Sequence, residues 1–354
     1  SICLLRGAGL GGSTLVNGAI YEEPPESIGR WDLRTARRWV RNCVTPWKPQ
    51  QLPWVKDIAQ MVKKHGFQLE SLEIWGGEEH RRSHAGSAFG QNATTQAKVE
   101  TILFEKNKAI GVRTTDNRVM LSRRGVIVCC GALESPRLLM RSFPKKDKRR
   151  SRLGSPLWDQ HGQTTLMFSL KPLPRIPNHV VVRGQHTTTF LFTPDNIADM
   201  VHFAGPTIFR LLSWRMVRTF LYYPLKLISP CLRRVVLPHF FGVNTVQTTP
   251  TKRGSVEAYT ILRDVPVILD TESNKERTRI LGTLSNSVQV TSFQSKSIWH
   301  LHGTCSKILG KNNDVIGSDN LWVCDASSLK QPFTQEPSAT LAAIGVAFAT
   351  VITS

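Results

Sequence analysis

None of the seven cysteines (3, 43, 129, 130, 231, 305 and 324) falls in a Cys-x-x-Cys spacing. That removes the usual frame of a structural zinc site, and no metal is expected. Cys129 and Cys130 are adjacent within an apolar run and read as buried free thiols. No uninterrupted apolar stretch approaches the ~20 residues of a membrane-spanning helix. No secretory signal pattern stands at the start, which is Ser1 rather than Met, so the chain reads as an internal piece of a longer protein. Acidic residues are scarce, 26 against 46 Lys+Arg, for a formal net charge of +20. Such a balance favours anionic partners and says nothing of fold. The densest run, 141–152, sets seven basic residues against Asp147 without a recognition motif, and reads as a solvated loop rather than a nucleic-acid site. Arg34, Arg37, Arg38 and Arg41 likewise read as a solvated helix face.

What is present is enough for a sizeable core: 354 residues, 40% hydrophobic, best divided into two domains. Residues 31–75 carry helical periodicity (Trp31, Ala36, Trp39, Val40, then Val55, Ile58, Ala59, Val62) between prolines. From Ala97 the pattern turns to strands, ending in Gly125–Cys130, a Gly-Ala turn and a helix opened by Pro136. Strands are also expected at 166–170, 179–182, 256–259 and 288–290. Residues 207–242 mix basic and apolar residues with Pro224, Pro230 and Pro238, which suits a lid or a peripheral membrane contact.

Near the start, Gly7-x-Gly9-x-x-Gly12 fits a dinucleotide fingerprint by letter. Glu22 and Glu23 come too soon to be its ribose-binding acid, expected ~20 residues on. Near the end, His300-x-x-Gly303-Thr304-Cys305 precedes Leu321-x-Val323-x-Asp325-Ala326-Ser327, and Glu336-Pro337 opens an apolar helix. A helix start suits an anionic group, and a histidine beside it suits proton transfer.

These C-terminal segments resemble the signature of the glucose–methanol–choline (GMC) oxidoreductases, FAD enzymes that oxidise alcohols. Three upstream segments resemble the same family in the same order. Gly11-Gly12-Ser13-Thr14-x-x-Asn17 is similar to its flavin-wrapping segment, Gly131-Ala132-Leu133-Glu134-Ser135-Pro136 to its second signature, and Gly154-x-x-Leu157-x-Asp159-Gln160-His161 to a third turn with one residue inserted. Thr251–Val256 resembles a turn that enters the family's substrate sheet. The resemblance implies an α/β fold (α+β overall): a Rossmann-like FAD domain lacking its first βαβ unit, and an antiparallel-sheet substrate domain. The expected boundaries are 1–160, 161–296 and 297–354, the last returning to the FAD domain.

By the same resemblance, Gly12, Ser13, Asn17, Val99, Asp325, Ala326 and Pro337 would hold FAD, and His300 would accept the hydroxyl proton while a hydride passes to flavin N5. His302, Asp159 and His161 would be structural. The partner would be a small-molecule alcohol, with the electron acceptor and the compartment left open. The family's second catalytic position, His or Asn, maps to Glu336. An ionised Glu cannot donate a hydrogen bond to a substrate oxygen and would favour the imidazolium of His300, whereas burial would raise its own pKa and a protonated Glu could donate. Activity well below that of an intact relative is therefore expected. The competing reading is a degenerate, non-catalytic relative that acts as a basic membrane- or partner-binding module.

Overall fold

The computed structural model describes residues 12–15, 20–46, 59–60, 62–75, 94, 96–173, 180–193, 223–224, 227, 235–250, 253–257, 269–284, 287–295, 298 and 300–353. The expectations at Gly7, Gly9, Asn17, Cys3, Cys231, Val55, Ile58, Thr251, Lys252, Ala258, Tyr259 and most of 207–234 lie outside these residues.

In chain order the elements that position the site are α1 (Arg34–Val44), β1 (Gln68–Ser71), β2 (Val99–Glu105), β3 (Lys108–Thr114), β4 (Val119–Leu121) and β5 (Val126–Val128). They continue with α2 (Gly131–Ser142), β6 (Gly162–Ser169), β7 (Val180–Arg183), β8 (Thr187–Phe192) and β9 (Phe240–Gln247). The series closes with α3 (Thr271–Thr283), β10 (Ser287–Ser295), β11 (Leu321–Val323) and α4 (Pro337–Thr353). An antiparallel sheet runs in the order β10-β6-β9-β8-β7-β1, so one edge strand comes from outside the 161–296 span expected for this sheet. A second sheet is the meander β2-β3-β4, and β5 pairs in parallel with β11. The fold class is mixed α/β with antiparallel sheets, as the sequence implies.

Period-two alternation divides the large sheet into two faces. Met167, Val180, Val182, Leu191, Phe241 and Val243 pack with Ile280 and Leu284 in one core, on the side covered by α3. Arg183, the next residue after Val182, therefore projects from the opposite face. On the other side of the molecule α1 presents Ala36, Val40 and Val44 at a spacing of four to Ala339, Ala343, Ile344 and Phe348 of α4. The small Ala36, Ala339 and Ala343 let the two backbones approach.

Four expectations are corrected. Pro136 lies inside α2, which starts at Gly131. Trp39 is 45% exposed, and Trp31 belongs to a two-residue strand before α1. Cys129 and Cys130 are exposed, because β5 ends at Val128 and the thiols lie beyond the packed strand. Val256 and Glu257 are not in a strand. Instead Gly254 exchanges hydrogen bonds of 2.8 Å each way with Leu157, and Val256 N–H donates to Gly154 at 2.9 Å.

Proline inside α2 leaves the carbonyl of Ala132 without its helical donor. The Thr304 hydroxyl takes that place, donating to it at 2.6 Å. Thr304→Val should therefore destabilise the protein by about 1–3 kcal/mol, the range for orphaning a buried acceptor. In a Pro136→Ala background, where the helix can supply its own N–H, denaturant unfolding should show a clearly smaller loss. Equal losses in both backgrounds would contradict the assignment.

Candidate active site

His300 stands on a loop with no regular structure of its own, and the surrounding segments fix that loop. His302 and Trp158 exchange backbone hydrogen bonds of 3.0 Å each way. Gly303 N–H donates to Ala326 at 3.0 Å and Cys305 N–H to Ser327 at 2.8 Å. Gly303 has φ +95°, and a Cβ there would sit 2.9 Å from the Pro156 carbonyl and from Trp158 Cδ1. Only glycine fits such a conformation and approach. His302 is buried, with Nδ1 at 2.7 Å from the His300 carbonyl and Nε2 accepting from Phe333 N–H at 3.2 Å. Burial lowers its pKa to about 4, so it is neutral and structural.

Two expected catalytic residues meet. His300 Nε2 lies 3.4 Å from Glu336 Oε2. On the other edge of the ring, Nδ1 lies 2.7 Å from Oε1 of Gln160. Burial depresses the His300 pKa to about 4 and lifts that of Glu336 to about 7. The sequence-based concern that the carboxylate would charge the imidazole is thus reversed, since desolvation drives both groups toward their neutral forms.

Glu336 is held by its backbone. Its N–H donates to Glu22 Oε2 at 3.0 Å, and Glu22 Oε1 pairs with Arg183 at 2.7 Å. Arg183 also reaches Glu70 at 3.1 Å and the Thr188 hydroxyl at 2.8 Å. Burial raises the Glu22 pKa while Arg183 opposes the rise. Arg183 likewise lowers the Glu336 pKa from a distance, but less than burial raises it.

Of the expected cofactor residues, Asp325 and Ala326 lie at the turn after β11. Asp325, after β11, accepts from Ser327 N–H at 2.7 Å with Oδ1, and from Gly131 N–H at 2.9 Å and the Ser135 hydroxyl with Oδ2. It thereby ties the turn after β11 to the first turn of α2. Ala326 is half-buried and accepts from Gly303, so this corner is bonded directly to the histidine loop. Pro337 is buried and begins α4 immediately after Glu336. Val99 is half-buried at the start of β2. Gly12 and Ser13 open a short 3₁₀ turn, with Gly12 at φ +52° and no atom within 4 Å of a notional Cβ.

β5 and β11 pair in parallel and end beside the start of α2, and α/β sheets bind nucleotides at the carboxyl ends of their strands. The thiols there bring no charge that would repel a diphosphate: burial and Asp325 push the Cys324 pKa up to about 12. With the open left-handed turn at Gly12, the residues present fit a dinucleotide cofactor.

Residues 64–161 and 250–345 match the N-terminal and C-terminal sequence profiles of the GMC oxidoreductases, together more than half of the chain. The chain belongs to the GMC oxidoreductases. Alcohol oxidase of Candida boidinii is 26% identical over 134 residues, which is 33% of this chain and 20% of that enzyme. The chain thus matches only a fifth of that relative's length. Among solved structures, pyridoxine 4-oxidase from Mesorbium loti superposes with a TM-score of 0.66 at 15% identity, covering 98% of this chain and 84% of that one. A fungal aryl-alcohol oxidase gives 0.62 at 16% identity, covering 98% and 86%. At these identities the likeness is one of fold, and this GMC chain carries its own constellation within it.

Gln160, Glu22 and Arg183 were not singled out from the sequence. The signal for Gln160 was the one-residue insertion in the Asp159-Gln160-His161 turn. Glu22, unsuited by spacing to a ribose, instead anchors the backbone of Glu336.

A carboxyl group with a raised pKa in the folded state favours folding at low pH. Between pH 4.5 and about 7 the unfolded chain releases that proton and the folded chain keeps it, so stability falls as pH rises through this window. Glu336→Gln should therefore raise the thermal midpoint relative to the parent at pH 8 and change it little at pH 4.5. The same difference at both values would show that folding does not raise the Glu336 pKa.

Proposed function

We propose that this GMC protein is an FAD-dependent oxidoreductase acting on the CH–OH group of a small-molecule alcohol, with His300 as proton acceptor and Glu336 as its acid partner. The observation that carries this reading is the buried pair itself: an imidazole and a carboxyl group 3.4 Å apart, both shifted by burial toward their neutral forms. A neutral imidazole nitrogen accepts the hydroxyl proton, and a protonated Glu336 donates a hydrogen bond to the same oxygen. The role filled by His or Asn in the family is thus open to Glu in its acid form.

FAD, when bound, supplies the two-electron acceptor for the carbon-bound hydrogen. Gly12, Ser13, Asn17, Val99, Asp325, Ala326 and Pro337 are the residues proposed to hold it. Asp325 acts by fixing the start of α2, since both its oxygens are engaged within the protein. The relatives, an alcohol oxidase, an aryl-alcohol oxidase and a pyridoxine 4-oxidase, support an alcohol as the substrate class.

The binding-module reading loses part of its basis at α1. Arg34, Arg37 and Arg41 pair with Asp32, Glu26, Glu23 and Glu73, so that basic face is largely neutralised within the chain. A contact of 207–242 with a membrane surface stays a proposal resting on sequence alone. Among the described residues no helix is long and apolar enough to cross a membrane.

The test is FAD titration followed by an alcohol screen over pH. Turnover should require neutral His300 and protonated Glu336, giving a bell with an acid limb near about 4 and an alkaline limb near about 7. His300→Ala should lower kcat by about 10²- to 10⁴-fold. Glu336→Asn, a donor at every pH, should abolish the alkaline limb. A folded chain that binds no FAD, or an alkaline limb that survives Glu336→Asn, would overturn the proposal.

A further inference from the structure

We propose that Gln160 is a positioning residue that selects the ring tautomer of His300, holding the proton on Nδ1 so that Nε2 faces Glu336 as a bare acceptor. The catalytic meaning of this assignment rests on the function proposed above; the tautomer itself does not.

The argument starts from the Gln160 side chain, which is buried at 3% exposure. Its Nε2 lies 2.9 Å from the Thr248 carbonyl and 3.2 Å from the Phe333 carbonyl. Carbonyls only accept, so both must receive N–H groups, and the amide has two hydrogens for two acceptors. The flipped amide would set an oxygen against two carbonyl oxygens in a buried space. Its orientation is therefore fixed, and Oε1 faces His300 Nδ1 at 2.7 Å. An amide oxygen cannot donate, so Nδ1 carries the hydrogen. Neutral imidazole has one N–H, and Nε2 is left with its lone pair.

The two carbonyls come from different parts of the fold. Thr248 follows the end of β9, and Phe333 lies on the approach to α4, three residues before Glu336. Gln160 is thereby held by the sheet on one side and by the Glu336 segment on the other. It also extends its backbone grip to the strand of chain before the histidine, since Ile298 N–H donates to the Gln160 carbonyl at 3.2 Å. A ring held by this clamp can accept a proton only at the edge turned toward Glu336.

The opposite tautomer would fail in a specific way. With hydrogen on Nε2, Nδ1 would meet an amide oxygen lone pair to lone pair, and the edge facing Glu336 would be a donor. Glu336 would then be drawn to its ionised form as an acceptor, and the two roles would be exchanged, so that His300 could only donate and could no longer take the hydroxyl proton.

The experiment uses the full chain labelled with ¹⁵N-histidine and reads the His300 ring-nitrogen shifts at pH 6, assigned by loss of the signal in His300→Ala. The parent should show the Nδ1–H form. Gln160→Met, which fills similar space without a hydrogen-bonding oxygen, should show mixed or Nε2–H signals and a kcat lower by about 10²- to 10⁴-fold with KM little changed, in line with a misplaced tautomer at a catalytic histidine. A parent spectrum dominated by Nε2–H overturns the inference, and that arm needs no variant to fold. So does a Gln160→Met chain with an unchanged Nδ1–H signature. An intact tautomer in a chain that turns over no alcohol would instead count against the proposed function alone.

Discussion

The carbonyl of Ala132 needs a donor that its own helix cannot give, and the rest of the site depends on how that need is met. Proline at 136 removes the N–H four residues on, and the Thr304 hydroxyl fills the gap. Thr304 is one residue beyond Gly303 and four beyond His300, so the repair of a helix also anchors the histidine loop. The loop makes no ladder of its own, yet buried backbone groups must be paired. Its donors go to Trp158, Ala326 and Ser327, and Gly154 N–H returns a bond to Thr304 at 2.7 Å. The histidine is thus held by segments far apart in the chain, with rigidity supplied by their own packing.

Around that loop, desolvation decides the charge state. Arg183 is a cation whose charge acts on Glu336, but its guanidinium is taken up by Glu22, Glu70 and Thr188. Had the fork closed on Glu336 directly, the carboxyl would have stayed ionised, since a bidentate guanidinium strongly favours the charged form. Instead Arg183 acts on Glu336 only from a distance, and burial prevails. The placement of one arginine therefore leaves Glu336 free of a direct ion pair with it.

The legible parts of the sequence were those where local pattern and tertiary context agree. The apolar run into the Gly131-Ala132 turn reads as β5 and α2, although in β5 only Val128 is fully buried and Ile127 is 43% exposed. The start of α2 was misplaced because proline is commonest in a first turn, whereas here Thr304 makes an interior proline tolerable. Cys129 and Cys130 were misread because the apolar run continues two residues past the strand's last packed position. The pairing of His300 with position 336 was legible through spacing carried by resemblance, but its electrostatics was not. A pKa depends on burial, and burial at 336 is set by Glu22, Arg183 and the sheet edge, none of them near in sequence. Gln160 was hidden for the same reason: 140 residues separate it from the ring it touches.

The neutrality of Glu336 has a further effect through α4. It stands immediately before Pro337, the first residue of a 17-residue helix, where the field of the helix end favours a carboxylate by about 0.3–1 kcal/mol. A pKa raised from 4.5 to about 7 corresponds to about 3 kcal/mol in the opposite direction, so the helix end does not ionise it. An ionised residue at this position would cancel the positive end of α4 as a capping acid does. A protonated one leaves that field intact. The same burial that favours the acid form of Glu336 thereby keeps the start of α4 favourable to negative charge arriving nearby. An asparagine would leave that field intact at any pH, whereas glutamate does so only while it stays dry enough to remain an acid.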